Sequence, residues 1–390
     1  MSPATGMKVP LLPDGKPAVK PASVSGAVFN VTTSIIGAGI MSIPATLKVL
    51  GVIPAFVLIL IIAFLAELSV DFLMRFTHSG ETTTYAGVMR EAFGPVGSVA
   101  AQVCVMITNL GCLIMYLIII GDVLSVNQPE GAAHSGILQQ WFGFQWWTSR
   151  EFALLIILVF VMLPLVLYRR VESLKFSSAI STLFAVLFVG ICSVLAISAV
   201  VQGKTKSPRL FPQLGSQTSF FDLFTAVPVI VTAFTFHFNV HPIGFELSKP
   251  SDMTTAVRIA LVICAAIYFA IGLFGYLLFG DSTDMNSYSL GSLIWPQITK
   301  DFYPSPLLLL AFSYLAAIAV PSIWYLFQFV GSTTAVCLAF IFPGAIVLRD
   351  APGISTTRDK FTGAIMITLA IITSAIAIST NIYNSVSSRT

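Results

Sequence analysis

Long apolar stretches alternate with short polar ones along nearly the whole chain. Ten of them approach or exceed the length a helix needs to cross a bilayer: about 23–48, 51–74, 97–122, 151–168, 174–201, 221–247, 256–280, 305–320, 323–348 and 361–383. A membrane barrel would show short segments alternating residue by residue, so these continuous runs predict helices. The expected architecture is all-α, a polytopic membrane helical bundle, with one transmembrane domain over 23–390. Residues 1–22 hold five prolines and three lysines and no apolar core of signal-peptide length. They read as a disordered cytosolic tail.

Composition agrees. Charged residues make up 9% of the chain, against about 25% in soluble proteins. Mean hydropathy is +0.91. A soluble enzyme could not cover its surface with so few charges, and a disordered chain would be far less apolar. The net charge of +3 gives no reason to expect nucleic acid as a partner; the bilayer is the expected one. Cys104, Cys112, Cys192, Cys264 and Cys337 all lie inside apolar runs and read as packing residues. No CxxC occurs, so no metal site and no cofactor is expected.

Loop charge sets orientation. Lys8, Lys16, Lys20, Arg75, Arg90, Arg169, Arg170 and Lys175 fall on one side under strict alternation, which places the N-terminus in the cytosol. Lys204, Lys206 and Arg209 fall on the other side, against the rule. Loop 349–360 is a second misfit. Ten spans put it outside, yet Arg349, Arg358 and Lys360 favour the cytosol. One more crossing between 280 and 305 would reconcile the two, but 281–304 is too polar to supply it. Trp295 and Tyr303 there suit the headgroup interface instead.

Two spans carry breaking signals. The first contains Gly37-Ala38-Gly39-Ile40-Met41-Ser42-Ile43-Pro44. Each glycine weakens a helix by about 1 kcal/mol relative to alanine, and Pro44 removes an N–H and crowds the carbonyl of Ile40. The same residues also suit a small-residue packing surface. The sixth contains His237, Asn239, His241, Pro242 and Gly244, which places its break around 239–242. Polar groups at that depth usually line a cavity, although His237 and Asn239 also suit interhelical glue. The spans are five apart and so run in opposite directions. Interrupted helices at matching positions of two inverted halves point to a transporter site. Backbone N–H groups there would face an anion and freed carbonyls a cation, which suits a zwitterionic amino acid.

Other polar residues have two readings each. Glu67 and Asp71 share a helix face and read as a proton relay or as interfacial partners of Arg75. Asn109 and Tyr116 line the path or bind neighbouring helices. Glu246 is a gate or a helix-end charge. His237 and His241 have metal-ligand spacing, but no second histidine-bearing span opposes them, which argues against a haem or redox protein.

The sequence resembles the amino acid/auxin permease family, closest to its plant vacuolar amino acid transporter branch and similar to the sodium-coupled neutral amino acid transporters. The resemblance rests on the Gly37–Pro44 string, on Tyr116 through Gly121-Asp122, on Phe236-His237-Phe238-Asn239-Val240-His241-Pro242-Ile243 with Glu246-Leu247, and on Phe327 through Thr333. It implies a leucine-transporter-like inverted repeat with discontinuous helices 1 and 6 and an eleventh span. It also implies alternating-access transport of neutral amino acids driven by H+ or Na+, in a vacuolar or other endomembrane. Family substrate contacts carry over to Gly37, Ala38, Gly39 and Ile40, and to Thr235, His237 and Asn239; Glu67 and Glu246 are the expected coupling or gating residues. The family's eighth span is missing here. That span helps complete a sodium site in sodium-coupled relatives, so H+ is the expected coupling ion, with a sodium symporter and a non-transporting truncated isoform as alternatives. Oligomeric state is left open.

Overall fold

The computed structural model describes residues 23–125, 136–164, 174–203, 205, 208–213, 220–247, 250–279, 306–320 and 323–387. The expected tail at 1–22, Trp295 and Tyr303 lie outside these residues. All ten predicted segments contain helix. The first is two helices, α1 (Val24–Ile35) and α2 (Gly39–Leu50), bent by 60° at residues between them. α3 (Val52–Ser79) and α4 (Tyr85–Leu124) follow. Thr84 caps α4 by accepting from Gly87 N–H. Gly94, at φ 70°, kinks that helix just before Pro95.

After the short α5 (Ile137–Phe142) come α6 (Arg150–Ile157), which continues as a π-helix over Leu158–Met162, and α7 (Leu174–Val201). A 3₁₀ turn, Phe220–Thr225, leads into α8 (Ala226–Ala233); α9 (His237–Phe245) and α10 (Pro250–Phe279) complete the middle of the chain. α11 (Pro306–Ala319) and α12 (Ile323–Val330) come next. Two π-helical segments, Gly331–Ala335 and Cys337–Ile341, join α12 to α13 (Phe342–Arg349). α14 (Thr357–Ser387) is last. Seven helical stretches among the described residues are long and apolar enough to span a membrane, and the bent pair makes an eighth.

Cross-chain contacts fix which ends lie together. Arg75, at the end of α3, pairs with Asp359 at the start of α14, so loop 350–356 shares a face with the α3–α4 turn. On the opposite face, Val52 and Ile53 donate their amides to the carbonyls of Arg209 and Leu210. Arg209 also donates to Tyr276 near the end of α10, and Asn384 near the end of α14 donates to Asp222. Loop 350–356 therefore lies where its charge favours, not where alternation over ten spans puts it.

The order of the described helices shows why. α10 ends on the Arg209 face. The stretch from Ile323 to Arg349 ends on the Arg75 face, so it begins on the Arg209 face. α11 stops only a few residues before it and so rises toward that face as well. α11 has 14 residues, about 21 Å of helix, which is short of the ~30 Å hydrocarbon core. Two helices end on the same face with no return between them among the described residues.

Candidate functional site

The two interrupted spans lie side by side and antiparallel. α1 packs against α9, and α2 packs against α8. Each break therefore faces the other. At the first, Ile36 and Gly37 leave the helical path; Ile36 is extended at φ −72°, ψ 99°. No side chain caps α2; the amides of Ile40 and Met41 donate to the carbonyls of Gly37 and Ala38 at 3.2 and 3.1 Å, which leaves Gly39 N–H open at the start of the helix. Ala38 N–H reaches out of the helix to the Tyr116 hydroxyl of α4 at 3.2 Å. Pro44 sits inside α2 rather than at the break; the interruption falls on Gly37 and its neighbours.

The second break corrects the expected position. It lies at Phe234–Phe236, not at 239–242. Phe234 and Phe236 have φ/ψ of −101°/13° and −124°/6°, outside the helical range. Pro242 lies within α9 with its ring exposed, where the helix accommodates it. The local cause is threonine chemistry. Thr232 donates to the carbonyls of Pro228 and Phe327, and Thr235 to that of Val231. Such bonds compete with the helical ladder. Phe220–Phe245, from the 3₁₀ turn through α8 and α9, still runs as one 26-residue span, without the sharp bend of the first.

One side chain ties the breaks together. The Tyr268 hydroxyl of α10, fully buried, lies 2.6 Å from the carbonyl of Ile35 and 3.0 Å from that of Ala233. It thus shares its proton between the last carbonyls of α1 and α8. A Cβ on Gly39 would sit 2.7 Å from Cβ of Ala233, so only glycine permits this approach. The ends of four short helices meet there. The positive starts of α2 and α9 and the negative ends of α1 and α8 border one small region. Such an arrangement can receive both ends of a zwitterion.

The predicted residues divide. Gly37, Ala38, Gly39 and Ile40 form the first break, and Thr235 and His237 flank the second. Thr235 spends its hydroxyl on its own helix. Asn239 is half-buried two residues into α9, its amide bonded to the Phe236 carbonyl. Glu67 is held by Arg258 at 2.7 Å. Asp71 pairs with Arg75 at 3.0 Å, as one of its two readings expected. Glu246 is exposed at the C-cap of α9. Tyr268 was not anticipated, nor were Thr232 and the buried Gln328. The only signal for them was a polar group inside an apolar run.

The model of the family described as "Transmembrane amino acid transporter protein" matches residues 20–293. The chain is 54% identical to "Amino acid transporter AVT6C" of Arabidopsis thaliana over 427 aligned positions, covering 97% of this chain and 98% of that one. It is 52% identical to "Amino acid transporter AVT6D" of the same plant, with 98% of each chain covered. Similarity to "Sodium-coupled neutral amino acid transporter 7" of Danio rerio is 28% over 67% of this chain and 55% of that one. The AVT6C alignment is longer than the 390 residues present here. That relative therefore carries residues with no counterpart in this chain. The family match stops at 293, inside the stretch 280–305 that lies outside the described residues.

Proposed function

From the premise that this chain belongs to the transmembrane amino acid transporter family, a family of carriers and not of enzymes, we propose that it moves neutral amino acids across a membrane by alternating access, coupled to protons. The observation that carries the substrate class is the meeting of the two breaks at Gly39 and Ala233 under the Tyr268 hydroxyl. The α-carboxylate binds Gly39 N–H at the positive start of α2, and the ammonium binds carbonyls at the ends of α1 and α8. The side chain extends between the helices. An endomembrane location, the vacuole first, is suggested by the name of the plant relatives. Loop charge supports placing the face with Arg75, Arg349 and Arg358 in the cytosol.

Purified chain in proteoliposomes tests this. Uptake of labelled L-glutamine and L-alanine rises when a pH gradient is imposed and is indifferent to a sodium gradient. Uptake driven by sodium alone would transfer the assignment to a sodium symporter. No uptake under either gradient by a folded preparation that binds neither amino acid would reject it.

The residues that the AVT6C relative carries and this chain lacks favour one second reading: a shortened form that binds an amino acid without completing the cycle. Restoring the residues that the AVT6C relative carries and this chain lacks then turns binding into transport. If the chain as it stands already transports as fast as the lengthened one, this reading fails.

A further inference from the structure

The paired breaks leave a buried polar cluster unused on the Arg75 side. His237 opens α9 directly after the second break and is fully buried. Neither ring nitrogen has a hydrogen-bond partner, although the ring lies beside the Ala66 carbonyl of α3. Phe236 and Phe340 close around it, with ring centroids 5.1 and 6.5 Å away. Leaving such a group unpaired is costly, so it needs a reason.

One helical turn further, His241 is 2% exposed. Its Nε2 lies 2.9 Å from the Thr77 hydroxyl. That hydroxyl gives its single proton to the Leu73 carbonyl at 2.7 Å. Thr77 must therefore accept from His241, which makes the neutral ring the Nε2–H tautomer. Its Nδ1 is a bare lone pair, buried and unpartnered. Tyr85 stacks on the ring at 5.7 Å and spends its own hydroxyl on the Leu338 carbonyl, in the second π-helical segment. Ser69 likewise bonds the Ala339 carbonyl. Beside Thr77 stands His78, exposed at the end of α3. Three of the chain's four histidines thus succeed one another from that face to the break; His134 lies outside the described residues.

Among the described residues no carboxylate is bonded to either buried ring. On α3, Glu67 is held by Arg258 and Asp71 by Arg75. The titratable groups facing the rings are His78 and Tyr85, with Cys104 of α4 and Cys337 beyond Tyr85. α1 carries none, α10 brings Asp252 and Arg258 at its start, and Glu246 on α9 is exposed.

We propose that His237 and His241 are the proton-binding site of the carrier, reached from the Arg75 face past His78, with the bare Nδ1 of His241 as first acceptor and His237 passing the charge to the gap between the broken helices. This rests on the proton-coupled reading above and assigns His237 to the proton rather than to the amino acid.

Equilibrium binding of labelled L-glutamine to the full chain is measured across the range in which histidine titrates, about pH 8 to 5. Affinity changes at least about fivefold in the wild type, the lower end of ordinary coupling between two sites. His237→Gln and His241→Gln each flatten that change while still binding at pH 8. If both variants keep the wild-type dependence, or if both lose binding at every pH while melting normally, the proposal is overturned. A second measurement needs neither variant nor amino acid. In the histidine-15N-labelled wild type, two buried imidazoles gain a proton over the same range; rings that stay neutral throughout overturn it as well. A wild type that never binds amino acid sinks the substrate reading, and the ring titration then decides the proton site alone.

Discussion

Two glycines one residue apart have unequal duties. A methyl on Gly39 meets the backbone and Cβ of Ala233 at 2.7–2.8 Å, with nowhere to move. A methyl on Gly37 meets the free end of Tyr116 at 2.5 Å, which can swing aside but then releases Ala38 N–H. Gly39→Ala is expected to cost about 1–3 kcal/mol of stability, in the range of overpacked cores, and to abolish L-glutamine binding; Gly37→Ala should only weaken it. Thermal melting in detergent and a binding isotherm check both. Tyr268→Phe leaves two buried carbonyls without their shared proton and should cost about 1–3 kcal/mol, read as a lower melting temperature. At the Arg75 face, Asp350 ends α13 at φ 47°. The bond from Lys360, together with the amides of Ser355 and Ile354, holds its carboxyl below the ordinary value. A lowered folded-state value means the contribution is present near neutrality and is lost as pH falls through that value. Amide exchange of residues 351–356 should therefore quicken in acid, and Asp350→Asn should remove much of that pH dependence.

Helices break where hydrogen bonds have a better offer, not simply where proline stands. The glycines at 37 and 39 located the first interruption because their helix-weakening effect is local to the backbone, whereas Pro44 lies inside α2. The second was placed too late by Pro242. Its true cause is the Thr232 and Thr235 hydroxyls together with a tyrosine from another span, and Pro242, the sixth residue of α9, is tolerated at an exposed position. Pro242→Ala should accordingly leave L-glutamine affinity within about twofold. Thr232→Val, which frees the Phe327 and Pro228 carbonyls, should weaken it measurably in the same isotherm. The π-helical turns at Gly331–Ala335 and Cys337–Ile341 had no sequence signal. They form where carbonyls are taken by side chains of other helices, as Tyr85 and Ser69 take those of Leu338 and Ala339.

At the scale of the molecule, sidedness is the sharpest consequence. In a cysteine-free background, single cysteines at Ser79 and Ala351 should react with an impermeant maleimide from the same side, and one at Gln202 from the opposite side. Labelling of positions 79 and 351 from opposite sides would separate Arg75 from Asp359 and undo the topology. By itself the sequence determined the ten helical segments, the opposite directions of the two interrupted ones and the family, because hydropathy and loop charge act along the chain and need no partner. Only the tertiary structure decided where the second break falls, that Tyr268 closes both, and that His241 carries its proton on Nε2. Those depend on groups distant in sequence competing for the same few backbone and hydroxyl hydrogen bonds in a medium without water to satisfy them.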